Sequence, residues 1–204
     1  MRAMIKPGSS SSISKARFAL NDEEKLILFT IGSLDRAPIR SKIKIQKILF
    51  LISNVFKGFQ NLLEFEPHLF GPYSETLDYV LESLIKLGLV KKEASSYRLT
   101  DDGQELVESL KPKPELINVI NDFKLFLNDL SDDEILVFIY ASYPQFISES
   151  VKWDELKPKR VSIAHSLLNK GKISFSKAAE IAGMSSVDFD KLLKERGMAW
   201  RTLA

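Results

Sequence analysis

The chain has 204 residues and no cysteine, and its 29 basic and 27 acidic side chains leave a net charge of +2. This length accommodates one or two domains, and the lack of cysteine excludes a disulfide framework, a thiol nucleophile and thiolate metal sites. No apolar run approaches the roughly 20 residues that a membrane helix requires, so the sequence predicts a soluble, cytoplasmic protein without membrane contact.

Charge is distributed unevenly along the chain. Residues 1–56 carry a net charge of +6, residues 57–151 one of −9, and residues 152–204 one of +5. Basic ends suit an acidic partner such as nucleic acid, and they are also compatible with an ordinary solvated surface. Residues 1–20 are rich in serine and contain Pro7, a composition that predicts a disordered tail.

Residues 21–110 are predicted to form one domain with the element order helix, short extended piece, helix, helix, hairpin, helix. Three capping residues, Asn21, Ser74 and Thr100, indicate helix starts, and the second helix is predicted to begin at about Ser41. The second helix has an apolar stripe at three- and four-residue spacing, and Lys44 and Lys47 lie off that stripe. Residues 89–93 and 97–99 are short apolar segments around a turn, which predicts a β-hairpin. The fold class is therefore mainly α with a small hairpin wing.

Residues 111–157 are predicted to form a helical hairpin followed by a linker. Pro114 suits the start of the first helix, and Ser131 with Glu134 forms a capping box at the start of the second. This helix pair has more apolar side chains than the core of one small domain needs. The excess apolar surface predicts that the chain forms a homodimer through this helix pair.

Residues 158–204 contain three short predicted helices, and residues 174–196 fit a helix-turn-helix template. Ala179 is small enough for two helices to cross closely, and Gly183 permits a left-handed turn between them. Three apolar positions are predicted to face inward: Met184, Phe189 and Leu192. If this element binds DNA, the residues expected near bases or phosphates are Lys172, Lys177, Ser185, Ser186, Lys191, Lys194, Arg196 and Arg201. The alternative is a small helical packing module with a solvated face.

A second basic cluster leads into the second helix and is a further candidate for gripping a phosphate backbone. Its members are Arg36, Arg40, Lys42, Lys44 and Lys47; the alternative is an ordinary solvated helix face. The third helix is predicted to expose carboxylates at Glu75, Asp78 and Glu82, which would repel phosphate. Residues 57–73 also separate it from the second helix by more than a helix-turn-helix allows. We therefore do not expect the third helix to enter a major groove.

Three parts of the chain resemble known families. The segments LIKLGLV (84–90) and YRLTDDG (97–103) resemble the third helix and wing of prokaryotic winged-helix regulators. KIQKILFL (44–51) with GPYS (71–74) resembles Panacea-type and phage-associated antitoxin domains. The segment from KIS to AAEIAGMS (172–185) resembles a family of small prokaryotic proteins regarded as antitoxins.

The resemblances imply a DNA-binding transcriptional regulator and, in their narrower form, the antitoxin of a toxin–antitoxin pair. The alternative is an adaptor that binds a toxin or another protein without touching DNA, which the acidic middle of the chain favours. His68 and His165 are about a hundred residues apart, and no constellation typical of catalysis accompanies them. We therefore expect neither an enzyme nor a bound cofactor or metal.

Overall fold

A computed structural model describes residues 20–200 of the chain. The fold is mainly helical with one small antiparallel two-stranded sheet, which confirms the predicted fold class. Among the described residues, no helix is both long and apolar enough to cross a membrane. Apart from the buried Leu20, the predicted tail lies outside the described residues.

The first part of the chain contains four helices and the hairpin. Their bounds are α1 (Asp22–Gly32), α2 (Lys42–Val55), α3 (Glu75–Lys86), β1 (Val90–Glu93), β2 (Ser96–Leu99) and α4 (Asp101–Leu110). The three predicted caps Asn21, Ser74 and Thr100 are present, and Ser41 caps α2 in addition. Asn21 forms a capping box with Glu24, while Ser41, Ser74 and Thr100 each accept a hydrogen bond from the backbone N–H three residues on. Each of these bonds satisfies one of the unpaired N–H groups of a first helical turn.

The hairpin packs on α3 through a shared apolar core. β1 and β2 pair with Val90 opposite Leu99, and the side chains of Leu84, Leu89 and Tyr97 are all buried. Tyr97 also exchanges two backbone hydrogen bonds with Ile39, which attaches the wing to the segment between α1 and α2.

Helix α2 lies at the centre of the first part of the chain. It contacts α1, α5 and α6, and every residue from Lys44 to Ser53 is buried. The prediction that only one stripe of α2 is covered is therefore wrong. The off-stripe positions are inside because helices from the middle of the chain close over the remaining faces.

Two long helices, α5 (Pro114–Asn128) and α6 (Asp132–Ser142), follow with the predicted capping box at Ser131 and Glu134. The ammonium of Lys124 on α5 is fully buried and donates to the carbonyls of Thr30, Ile31 and Ser33, at 3.2, 2.8 and 2.8 Å. It thereby caps the carboxyl end of α1, where unpaired carbonyls collect.

The apolar character of α6 has an explanation within the chain. α6 contacts α2 on one side and the C-terminal helices on the other, and its residues Ile135, Leu136, Val137 and Ile139 are almost completely buried. A second copy of the chain is not needed to cover these side chains. The apolar surplus predicted for the helix pair is therefore covered within the chain at α6, whereas α5 leaves Leu125 53% exposed, and dimerisation stays a prediction.

The segment predicted as a linker is more ordered than expected. It contains a 3-10 helix (Pro144–Ile147), a single turn α7 (Trp153–Leu156) and a second 3-10 helix (Lys157–Lys159), anchored by the buried side chains of Phe146 and Leu156. The chain ends in α8 (Arg160–Asn169), α9 (Phe175–Ala182) and α10 (Ser186–Glu195), within a residue of the predicted bounds.

Candidate nucleic-acid interface

Helices α9 and α10 form the predicted helix-turn-helix. Gly183 ends α9 in the left-handed conformation, with φ of +78°, and its N–H donates to carbonyls of the last turn. Ser174 caps α9 and Ser185 caps α10. The turn is short because the end of one helix and the cap of the next are only two residues apart.

The inner faces of the two helices form a small apolar core with α8. Ala178 and Ala179 are buried where the helices approach, and Phe189 is fully buried with its ring 5.5 Å from that of Phe175. Met184 is half-buried. The inward residue on the last turn of α10 is Leu193 rather than the predicted Leu192, which is only half-buried.

Arg160 at the start of α8 braces the turn between α9 and α10. Its Nε donates to the Ile181 carbonyl at 2.6 Å and its Nη2 to the Glu180 carbonyl at 3.2 Å. Its guanidinium also lies 5.6 Å from the Trp153 ring, within cation–π distance. A Cβ on Gly183 would lie 2.7 Å from this guanidinium, so a larger residue in the turn would displace the Arg160 side chain from these carbonyls. Nothing local in the sequence indicates this role for Arg160, which lies 20 residues before the carbonyls.

The exposed face of α10 carries four of the predicted DNA-binding residues: Ser186, Lys191, Lys194 and Arg196. The side chains of Lys191 and Lys194 are each 76% exposed. Lys194 contacts Asp190 at 2.6 Å and Lys191 lies 3.9 Å from Glu195. Exposed ion pairs of this kind contribute about 0–1 kcal/mol, so a phosphate can compete for both ammonium groups.

Two of the predicted residues instead attach the C-terminal helices to the rest of the chain. Lys172 donates to the carboxylate of Asp129 at 2.7 Å and to the Leu125 carbonyl at 3.3 Å. Lys177 contacts Glu180 at 2.7 Å and lies 5.9 Å from the Phe138 ring. These contacts engage α5, α6 and α9 itself, and the placement of Lys172 and Lys177 near phosphates stays a prediction.

Ser185 and Arg201 are the other two residues predicted near DNA in this element. The Ser185 hydroxyl accepts from the Asp188 N–H at 3.1 Å and contacts the Asp188 carboxylate at 2.6 Å. Because it is occupied as a helix cap, Ser185 does not offer a free hydroxyl to a base edge. Arg201 lies outside the described residues.

The second basic cluster does not exist as predicted. Lys47 is 2% exposed and donates to the Pro72 carbonyl at 2.6 Å, while the buried Lys44 donates to the Asn128 carbonyl at 2.9 Å. Burial lowers the pKa of Lys47 to about 7. Neither ammonium is available to a phosphate, because α5 and the loop before α3 cover them. Arg36, Arg40 and Lys42 are exposed, Arg36 beside Glu108 and Lys42 beside Asp78.

The residues that resemble Panacea-type domains meet in one structural clamp. The Gln46 side chain makes two hydrogen bonds with the backbone of Ser74, one to its carbonyl and one from its N–H, each 3.0 Å long. The Lys47 contact with Pro72 lies beside them. The clamp fixes the loop before α3 onto α2.

Asp78 belongs to the same clamp rather than to an exposed acidic face. It accepts hydrogen bonds from Lys42 at 2.6 Å, the Tyr73 hydroxyl at 2.7 Å and Gln46 at 3.0 Å. The bond to Asp78 raises the pKa of Tyr73 to about 12. Only Glu75 and Glu82 of the three predicted carboxylates are exposed, so the prediction for Asp78 is wrong.

Glu134 fastens α8 to α6. Its carboxylate accepts from Lys170 at 2.8 Å on both oxygens and from the Ser166 hydroxyl at 2.7 Å, in addition to its capping bond from the Ser131 N–H. Burial alone would raise the pKa of Glu134, but these hydrogen bonds lower it below its ordinary value. Through α8, these bonds fix the orientation of the helix-turn-helix relative to α6.

A family match covers the part of the chain that contains the helix-turn-helix. None of the curated proteins compared with the chain matches it. Residues 139–203, which run from the end of α6 through α10, match the uncharacterised protein family UPF0175.

Proposed function

We propose that the protein is a DNA-binding transcriptional regulator that presents α10 to the major groove of duplex DNA. The observation that carries the proposal is the geometry of α9, the Gly183 turn and α10. In helix-turn-helix regulators, the second helix enters the groove with its first residues toward the bases while the first helix crosses the backbone. Here the outward face of α10 is solvent-exposed, and its inner face is fixed on α8 and α9 through Phe189 and Leu193.

The positive charge of the C-terminal helices also supports an approach of α10 to DNA. Residues 157–200 contain nine lysine and arginine side chains and four carboxylates, for a net charge of +5. Lys191 and Lys194 extend from α10 and Arg196 lies just beyond its end. Each cation that neutralises a phosphate releases counterions, and this release supplies most of the affinity for DNA backbone.

The narrower proposal is that the chain is the antitoxin of a toxin–antitoxin pair. It is supported by the match to UPF0175 together with the antitoxin-like segments described above. In this proposal the chain acts in the cytoplasm as a homodimer, since two copies of a helix-turn-helix usually read two half-sites. The chain binds its partners without catalysis, and its protein partner is the toxin.

An apolar patch supports a second candidate function, an adaptor that binds another protein. Leu69, Phe70 and Val151 are all exposed large apolar residues, and the Val151 N–H donates to the Leu69 carbonyl at 3.2 Å, which brings them side by side. Grouped exposed apolar side chains are typical of protein contacts. In this alternative the patch binds the partner protein and the chain does not contact DNA.

Fluorescence anisotropy with a labelled 20-base-pair duplex tests the DNA function. We expect wild-type affinity to fall steeply with salt, and Lys191→Ala with Lys194→Ala to reduce the logarithmic salt slope by about two. The matched control is Lys57→Ala with Lys113→Ala, which removes two exposed cations elsewhere and should leave the slope unchanged. Absence of binding at low salt, to both random DNA and DNA upstream of the chain's own gene, would rule the proposal out.

Growth rescue tests the antitoxin proposal and the adaptor together. If the product of the neighbouring gene is toxic, expression of this chain should restore growth. Phe70→Asp with Val151→Asp should abolish rescue if the apolar patch binds the toxin, whereas the double change at Lys191 and Lys194 should preserve it. The opposite pattern would remove the adaptor from consideration.

A further inference from the structure

Helix α10 exposes an apolar side chain at the position where a recognition helix meets base edges. Val187, the second residue of α10, is 78% exposed. A β-branched residue is a poor choice for an exposed first turn, because it has low helix propensity and leaves apolar surface in water. Helix stability therefore does not explain a valine at this position, whereas contact with a bound partner does.

The neighbours of Val187 define the chemistry of the surface around it. Asp188 is tied back to the Ser185 hydroxyl at 2.6 Å, and Phe189 faces the core. Ser186 is exposed beside Val187, and Lys191 follows one helical turn later on the same face. The surface thus offers, in order, a hydroxyl, a branched apolar group and an ammonium.

A major groove containing thymine complements that order of groups. Thymine presents a C5-methyl next to its O4 acceptor, whereas the minor groove presents no methyl group. Guanine acceptors or phosphates suit an ammonium one turn further along. A purely apolar protein surface would match Val187 but would leave the exposed ammonium groups of Lys191 and Lys194 without complementary charge.

We propose that Val187 is a specificity-determining residue that packs on the C5-methyl group of thymine. The inference rests on the proposed DNA function and adds the chemical class of the preferred site, which is duplex DNA with a thymine at the first turn of α10. Uracil lacks the methyl group, so a uracil-containing duplex of the same sequence should bind more weakly. The effect is apolar, so it should not alter the salt dependence that the lysines produce.

Paired pools of duplex DNA test the inference. Random 20-base-pair duplexes are selected on the wild-type protein, and the enriched pool is amplified once with dTTP and once with dUTP. Wild-type protein should bind the thymine pool about fourfold more tightly than the uracil pool, since one methyl group leaves water in the complex. Val187→Ala, which keeps only one methyl group, should lose most of this preference and keep the salt slope of the wild type. Val55→Ala, which trims an exposed valine at the end of α2, should keep the full thymine preference.

The outcomes separate this inference from the function on which it rests. Equal wild-type affinity for the two pools, or a thymine preference that survives in full in Val187→Ala, would overturn the role of Val187. So would a selection that enriches no sequence although random DNA is bound with a steep salt dependence; in all three cases the DNA function stands. Absence of any binding at low salt would overturn both.

Discussion

Replacing Gly103 by alanine should destabilise the protein, although alanine is the better helix former. Gly103 lies in the first turn of α4, where its N–H donates to the Thr100 hydroxyl at 3.1 Å. A Cβ at this position would lie 2.1 Å from the carbonyl oxygen of Leu89 and 3.0 Å from its carbonyl carbon. The contacted atoms are backbone, so no side chain can turn away to make room.

The expected loss of stability is the sum of one contribution that favours alanine and two that oppose it. Helix propensity favours alanine over glycine by about 1 kcal/mol. Forcing a methyl group into a filled space costs about 1–3 kcal/mol, and an overlap with backbone belongs at the upper end. Displacing Leu89 also weakens the capping bonds of Thr100, whose N–H and hydroxyl contact the Leu89 carbonyl, at about 1 kcal/mol. The net loss is about 3 kcal/mol, which lowers the Tm of a chain this long by roughly 6–12 °C.

Urea unfolding followed by circular dichroism measures this loss. We expect Gly103→Ala to lower the midpoint without changing the slope. Gly58→Ala is the control, because a Cβ at Gly58 meets nothing within 4 Å, and it should change stability by less than about 0.5 kcal/mol. If Gly103→Ala were as stable as the wild type, α4 would not approach the Leu89 carbonyl as described.

Three further changes probe burial and charge. Leu84→Ala should cost about 2–5 kcal/mol and the exposed Leu87→Ala much less; equal thermal shifts would mean that the buried face of α3 is misassigned. Lys124→Met should cost at least about 2 kcal/mol, because it removes the ammonium that pairs the carbonyls of Ile31 and Ser33 at the end of α1; an unchanged urea midpoint would contradict the capping role. Since the folded pKa of Glu134 is lowered, its contribution is present above the unfolded pKa and lost as pH falls through the folded pKa. Glu134→Gln should therefore flatten the acid limb of a stability–pH curve, and the exposed Glu149→Gln should not.

Helix positions could be predicted from the sequence because their signals are local. Asn21 with Glu24, and Ser131 with Glu134, are three residues apart, and the bonds between them form wherever the helix starts. The turn at Gly183 is similarly local, since one glycine supplies the conformation that the backbone needs. These features depend on neighbours along the chain, so a single sequence contains them.

The candidate site was harder to predict because it depends on distant packing. An apolar stripe on α2 implies one covered face, but α5 and α6, much later in the chain, contact α2 as well. α5 and the loop before α3 bury Lys44 and Lys47. The helix-turn-helix template places Lys172 near phosphates, whereas Asp129 of α5 lies within 2.7 Å of its ammonium. Charge in a sequence shows which groups are available, and only tertiary contacts show which are already paired.

The position of α6 between two sets of helices has a consequence for synthesis. Its face toward α8 and α9 includes Phe138 and the carboxylate of Glu134, whose partners Ser166 and Lys170 come from α8. While the chain is being made, that face stays uncovered until about thirty further residues have left the ribosome. Nascent chains are open to association with one another during this interval. A chain that stops before Pro158 would remain permanently in that state, so removing α8, α9 and α10 should reduce solubility as well as any DNA binding.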